Sequence, residues 1–194
     1  MNKTKEESKK TRKSNPAYQD NLRRNGKYFI EDKQYVSVTT ILTAIAKPQL
    51  ITWGAKMAST YAIENPEAEG SECISAIYRK RDTAGELGRM IHSLAEALTK
   101  GIVIEEEKLS DTIKPYAQAL IGYFAKVKPD VLKAECVIVN ETEGYAGTTD
   151  LIAKMQDGKI WLVDYKTGGI YPEAALQLSA YMHAEYIWDK KDHF

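Results

Sequence analysis

Asp164 and Lys166 stand two residues apart in "LVDYKTG", at the end of an apolar run that breaks at Gly168 and Gly169. On a strand, side chains two apart share a face, so the carboxylate and the ammonium project together with Leu162 behind them. Opposite charges at the tip of a buried strand are costly unless they are paired or used. One use is phosphate-ester hydrolysis, in which carboxylates hold a divalent cation and a lysine orients the attacking water or stabilises the charged phosphate. An isolated D-x-K is nevertheless more often a structural ion pair, and it becomes informative only in company.

The nearest company is Asp150, in "TTDLIAKM", which "QDG" joins to "KIWLVDYK". Two turns fit. A two-residue Asp157–Gly158 loop sets Asp150 opposite Tyr165 and turns Asp150 and Asp164 to opposite sides. A three-residue Gln156–Asp157–Gly158 loop, with the glycine in the left-handed position of a bulge, pairs Met155 with Lys159. Asp150 then stands opposite Asp164, and Ile152 opposite Leu162. The second register is the one expected here. Opposed carboxylates repel, so their closeness calls for a cation, and hard oxygen donors suit Mg²⁺ or Mn²⁺.

Other elements must position this hairpin. "KYFIEDKQYVSVTT" reads as a short hairpin around Glu31–Asp32, "TILTAIAKP" as a brief helix stopped by Pro48, and "QLITWGAKMASTYAIENP" as a helix stopped by Pro66. Thr83 and Glu86 have capping-box spacing, which predicts a helix starting just after Thr83. Leu87, Met90, Ile91, Leu94, Ala95 and Leu98 give it an apolar stripe. Gly85, Gly88, His92 and Glu96 lie along its edge, the glycines suiting close approach of a backbone or ligand. "DTIKPYAQALIGYFAKVKP" is a further amphipathic helix. "AECVIVN" is a strand, and "PEAALQLSAYMHAEYIW" reads as a helix with Pro172 in its first turn. Helices, three strands and a final helix imply an α/β or α+β fold.

The composition, 43% apolar and 28% charged over 194 residues, excludes wholesale disorder and fits one domain with an extension. The sequence contains neither a membrane-length apolar run nor a secretory signal. Cys73 and Cys136 form no disulfide framework and no CxxC, and both read as small buried side chains. The expected compartment is the cytoplasm, a bacterial host's if the chain is phage-encoded. Residues 1–27 hold nine Lys/Arg and three Asp/Glu, against 18 and 24 in the remainder. They read as a basic disordered arm able to contact phosphates, ahead of one domain over 28–194.

In chain order, "GRMIH" ends in His92, "GTTD" in Asp150, "DYK" supplies Asp164 and Lys166, and "QLSAY" supplies Gln177 and Tyr181 one helical turn apart. Together with "YVSVTTIL" and "LITWGAK", these resemble the RecB-like branch of the PD-(D/E)XK nuclease superfamily, as found in phage and CRISPR-associated exonucleases. The resemblance covers about residues 28–187. It implies a restriction-endonuclease-like core, in which a mixed sheet carries the site on a β-hairpin and is flanked by helices. It implies Mg²⁺ or Mn²⁺ held by His92, Asp150, Asp164 and the backbone carbonyl of Tyr165, with Lys166 acting on the attacking water. Gln177 and Tyr181 would line the site and hold substrate or the lysine, and Glu135 would approach the metal through water. Arg89, with Arg79, Lys80 and Arg81, offers a phosphate-gripping edge or a solvated helix start.

Two departures from the family stand out. Some relatives hold an iron–sulfur cluster on four cysteines, and two cysteines exclude that in one chain, so no cluster is expected. The family also continues past its Q-x-x-x-Y helix with more strand, so the resemblance implies a domain truncated at its C-terminus, with one sheet edge in doubt. Trp53, Trp161 and most tyrosines read as core, and His183 and His193 have no evident partner.

The activity this implies is metal-dependent hydrolysis of DNA to 5′-phosphate and 3′-hydroxyl ends, by an exonuclease of recombination, replication or repair. Its partners would be DNA and a recombination or single-strand-binding protein, with no membrane. No Ser–His or Cys–His pair points to a covalent intermediate. Two other classes compete: a non-cleaving nucleic-acid-binding module, and an interaction protein whose D-x-K is an ion pair.

Overall fold

The computed structural model describes residues 22–45 and 47–188. Asn25 and Gly26 both adopt positive φ (50° and 75°), the two-residue turn that matches strand twist, and they join β1 (Arg23–Arg24) to β2 (Lys27–Ile30). A Cβ at Gly26 would lie 2.4 Å from the Thr40 hydroxyl, so the position needs glycine. Of the basic arm expected over 1–27, residues 1–21 lie outside the described residues. Leu22 is buried, and residues 23–27 belong to the sheet. β3 (Lys33–Ser37) completes the expected hairpin around Glu31–Asp32, with Ile30 paired to Lys33.

A short helix α1 (Val38–Ile41) and a 3₁₀ turn (Leu42–Ala44) follow, and Pro48 then opens α2 (Pro48–Glu64) at a position where its missing N–H costs nothing. The helix expected to begin after Thr83 is longer: α3 runs Gly70–Thr99. Its capping box is Glu69 with Glu72, and the Thr83 hydroxyl bonds back to the Arg79 carbonyl. Ile91 and Ala95 bury the stripe against Leu120 of α4 (Lys114–Val127), joined by Leu87, Leu94 and Leu98. Met90 lies off that contact and is exposed.

Strands β4 (Asp130–Asn140), β5 (Tyr145–Lys154) and β6 (Ile160–Val163) follow. The three-residue turn holds: Gly158 has φ +77°, the Met155 N–H donates to the Lys159 carbonyl, and Ile152 pairs with Leu162. Pairing ends at Leu151–Val163, so Asp164 to Lys166 lie just beyond the strand rather than within it. Helix α5 spans only Pro172–Met182, shorter than expected. Its continuation is a strand, β7 (Tyr186–Trp188), that pairs with Val137–Val139 of β4. Trp161, expected in the core, is 51% exposed on the edge strand, its indole N–H donating to Asp157. Cys73 and Cys136 are half-buried, without a disulfide.

The result is an α/β fold with a mixed sheet flanked by helices, in the order β1-β2-β3-β5-β4-β7. β4 occupies one edge of β5 along its length. The opposite edge is therefore shared: β3 runs parallel to Tyr145–Ala146, and β6 runs antiparallel to Leu151–Lys154. Between them, residues 147–150 pair with neither strand among the described residues, and the sheet opens there into a fork that ends at Asp150. Alternation along β4 buries Val137 and Val139 with Tyr28 and Tyr35 on one face, and Ile138 with Val38 and Tyr181 on the other. Among the described residues no helix is long and apolar enough to cross a membrane.

Candidate functional site

Seven of the residues singled out in the sequence line one cavity of about 220 Å³ at the fork: His92, Glu135, Asp150, Asp164, Lys166, Gln177 and Tyr181. Each arrives from a different constraint. His92 sits one residue past Ile91, which buries the α3 stripe and fixes the helix rotation. Asp150 ends the free stretch of β5, and Asp164 and Lys166 follow β6 in the register that the Gly158 turn imposes. Gln177 and Tyr181 share a face of α5, because Tyr181 is buried against Ile138.

Two linked groups can be distinguished. In the first, a ring nitrogen of His92 and carboxylate oxygens of Glu135 and Asp150 all lie within 4.8 Å of one another. His92 Nδ1 is 3.2 Å from Asp150 Oδ1, while the Tyr165 N–H donates to Asp150 Oδ2 at 2.6 Å and fixes the carboxylate. Neighbouring ligands of an octahedral ion at about 2.1 Å stand roughly 3 Å apart, so the His92–Asp150 spacing fits one small cation. An imidazole with two carboxylates is a donor set that could hold a divalent cation. In the second group, the Lys166 ammonium lies 2.5 Å from Asp164 Oδ2 and 3.3 Å from the Gln177 side-chain carbonyl. The Gln177 NH₂ donates to Asp164 Oδ1 and to the Tyr181 hydroxyl, both at 3.0 Å. A single amide orientation thus serves ammonium, carboxylate and phenol.

Glu135 belongs to the tight donor group, and Asp164, its side chain 6% exposed, is turned to Lys166 and Gln177. Tyr165 meets Asp150 through its N–H, and its ring packs edge-on to His92 with centroids 6.3 Å apart. Arg89 does not reach the cavity: it is exposed, and its guanidinium folds over Gly85 one turn back. Arg79 covers the Tyr61 ring, and Arg81 pairs with Asp82 over Tyr78. A Cβ added at Gly88 would meet the Thr167 hydroxyl at an ordinary 3.7 Å, and one at Gly85 the Arg89 guanidinium at 3.6 Å, so neither glycine is required by a close approach among the described residues. His183 bonds the Ser179 carbonyl, and His193 lies outside the described residues.

The protonation state reports the crowding of acids. The hydrogen bond with Asp150 holds His92 above the ordinary imidazole value, against the lowering effect of burial. Burial, and then the charge of Asp150, pushes Glu135 up to about 7. Burial also raises Asp164, with the Lys166 hydrogen bond pulling the other way. Groups that retain protons because their negative charge is not neutralised are groups from which a cation displaces protons.

The remaining lining residues of the cavity went unread in the sequence. Arg23 donates to the Thr39 hydroxyl at 2.7 Å, Ser37 and Thr39 hydroxyls are 3.0 Å apart, and Tyr28 and Thr148 hydroxyls 2.9 Å apart. The Asn-Gly turn before "KYFI" was the signal that Arg23 belongs to a strand rather than to an arm. The cavity lining therefore combines acids with hydroxyls and the Arg23 guanidinium. No protein-family model matches the chain, and no curated protein does.

Proposed function

We propose that this chain is a Mg²⁺- or Mn²⁺-dependent deoxyribonuclease with a restriction-endonuclease-like core, of the RecB-like, phage-exonuclease type. The observation that carries the reading is the meeting, in one cavity, of a three-residue metal-donor group with an acid–lysine–amide group. An ion pair kept for stability would need neither His92 nor Glu135 beside it.

In this reading His92, Glu135 and Asp150 hold the cation. When bound, the cation neutralises charge on a phosphoryl oxygen and makes a water acidic enough to attack at neutral pH. The Tyr165 N–H keeps Asp150 Oδ1 turned to His92. Asp164 and Gln177 hold the Lys166 ammonium by two contacts, and it orients the attacking water and offsets charge developing on the phosphate. Arg23 and the Ser37–Thr39 hydroxyls, which line the same cavity, bind the phosphodiester.

The test is digestion of linear DNA with Mg²⁺ or Mn²⁺ by the wild type and by Lys166→Ala. Cleavage that requires metal and falls by about 10²–10⁴-fold in the variant is expected. Binding without cleavage by the wild type would replace the reading with a non-cleaving module. End-labelled linear and closed circular DNA, digested side by side, test the exonuclease part: the circle should survive.

A further inference from the structure

We propose that a second cavity, beside Lys166, is a nucleobase subsite that takes one unpaired base of the strand being cut, next to the scissile phosphate. This rests on the nuclease reading for the identity of the strand.

The cavity holds about 260 Å³ and shares Thr39, Lys166 and Gln177 with the fork cavity, so whatever enters it is continuous with what lies over the metal donors. That volume is below the range for drug-sized ligands and suits one flat heterocycle rather than a base pair. Its walls are apolar: Leu42, Leu50, Ala174 and the ring of Tyr171. Its rim is polar, with Gln49 donating to Glu173 at 3.3 Å across the gap between the first turns of α2 and α5. An apolar slot with an amide and a carboxylate at its edge is how proteins take unstacked bases, through a stacking face and hydrogen bonds to the base edge.

The stacking face is the Tyr171 ring, whose Cζ edge lies so close to Gly169 that an added Cβ there would come within 3.1 Å of it. Tyr171 is still 49% exposed, and Leu50 is 53% exposed beside the cavity. Lys47, also lining it, offers a charge for the neighbouring phosphate. A base seated here has left its partner strand, so the substrate class is single-stranded DNA or a frayed duplex end.

The test is a single-stranded oligonucleotide carrying 2-aminopurine, titrated in EDTA at low salt so that no cleavage is needed. Wild type, Tyr171→Phe and Tyr171→Ala are compared, with circular dichroism confirming the fold. Saturable quenching is expected for wild type and Tyr171→Phe, and a Kd raised about tenfold with loss of quenching for Tyr171→Ala. A parallel arm measures kcat/KM with Mn²⁺ on oligonucleotides carrying one abasic position. The abasic step should cost the wild type about tenfold and Tyr171→Ala nothing further. Quenching or abasic penalties that are equal in wild type and Tyr171→Ala overturn the subsite while leaving the nuclease intact. Tyr171-dependent quenching without metal-dependent cleavage overturns the nuclease and leaves the base subsite standing. Neither binding nor cleavage overturns both.

Discussion

Glu135 stands across from Asp150 between β4 and β5, flanked by the pairs Ala134–Leu151 and Cys136–Thr149, and it does so with a backbone φ of +48°. A non-glycine residue at such an angle costs about 1–2 kcal/mol, and here the distortion aims a second carboxylate at the donor group rather than into the ladder.

The first prediction concerns metal affinity. Burial holds the Glu135 carboxyl at about 7, and the hydrogen bond to Asp150 keeps His92 protonated above its usual range. A cation must displace these protons. Mn²⁺ affinity measured by calorimetry should therefore rise between about pH 6 and pH 8, by up to about tenfold per unit for each proton released. Glu135→Gln should weaken binding and flatten the slope, and an unchanged slope would remove Glu135 from the donor set.

The same protons set the stability of the metal-free protein. Glu135, His92 and Asp164 all have folded-state values above their unfolded ones. Each contributes stability that is fully present below its unfolded value and is lost as pH rises through its folded value. Melting temperature in EDTA should accordingly fall from about pH 5 to about pH 8. At the upper end Glu135→Gln should be more stable than wild type by about 1–2 kcal/mol, a figure discounted for the partial exposure of the site. Mn²⁺ should restore the wild type at about pH 8 more than at about pH 5. A melting temperature that climbs with pH in EDTA would contradict the burial of these groups.

In the proposed nuclease Gln177 is a positioning residue, since it contacts Lys166 and Asp164. Gln177→Ala leaves the ammonium with a single partner, Asp164. The expected result is a fall in kcat of about tenfold or more with KM nearly unchanged, because the interaction lost acts on the reacting step rather than on strand binding. Mn²⁺ affinity should stay at the wild-type value, as none of the three donors contacts Gln177 in the described hydrogen bonds. A rise in KM with kcat preserved would instead assign Gln177 to substrate binding.

How far the site was legible depended on whether each constraint was local. The hairpin register could be read because "QDG" places glycine where only a left-handed residue closes the turn, and Gly158 at φ +77° then sets every pair up to Leu151–Val163. The α3 stripe could be read from its period, which brought His92 to the cavity. The start of α3 could not: Thr83 with Glu86 has the spacing of a cap, but a threonine hydroxyl bonds a carbonyl four residues back equally well, and it does so here. The approach of Glu135 to His92 and Asp150 was hidden because nothing in "KAECV" announces a left-handed glutamate within a strand. β7 was hidden because three apolar residues after a helix look like another helical turn until β4 presents an edge to pair with.

The last prediction tests how the α5 face is seated on the sheet. A Cβ at Gly147 would lie 2.3 Å from Tyr181 Cε1 and 2.9 Å from Cζ, in contact with ring carbons of a side chain only 4% exposed. Tyr181 cannot swing clear, because Val38 and Ile138 enclose it, so Gly147→Ala should destabilise by about 1–3 kcal/mol through overpacking. The displaced phenol also loses its bond from Gln177, so cleavage should fall along with stability. A double-mutant cycle separates this clash from a general intolerance of alanine on β5. In a Tyr181→Ala background the ring is gone, the added methyl has room, and the Gly147→Ala penalty should shrink towards zero. Equal penalties in the two backgrounds would mean that the glycine serves the strand backbone and not the close approach of α5 to the fork.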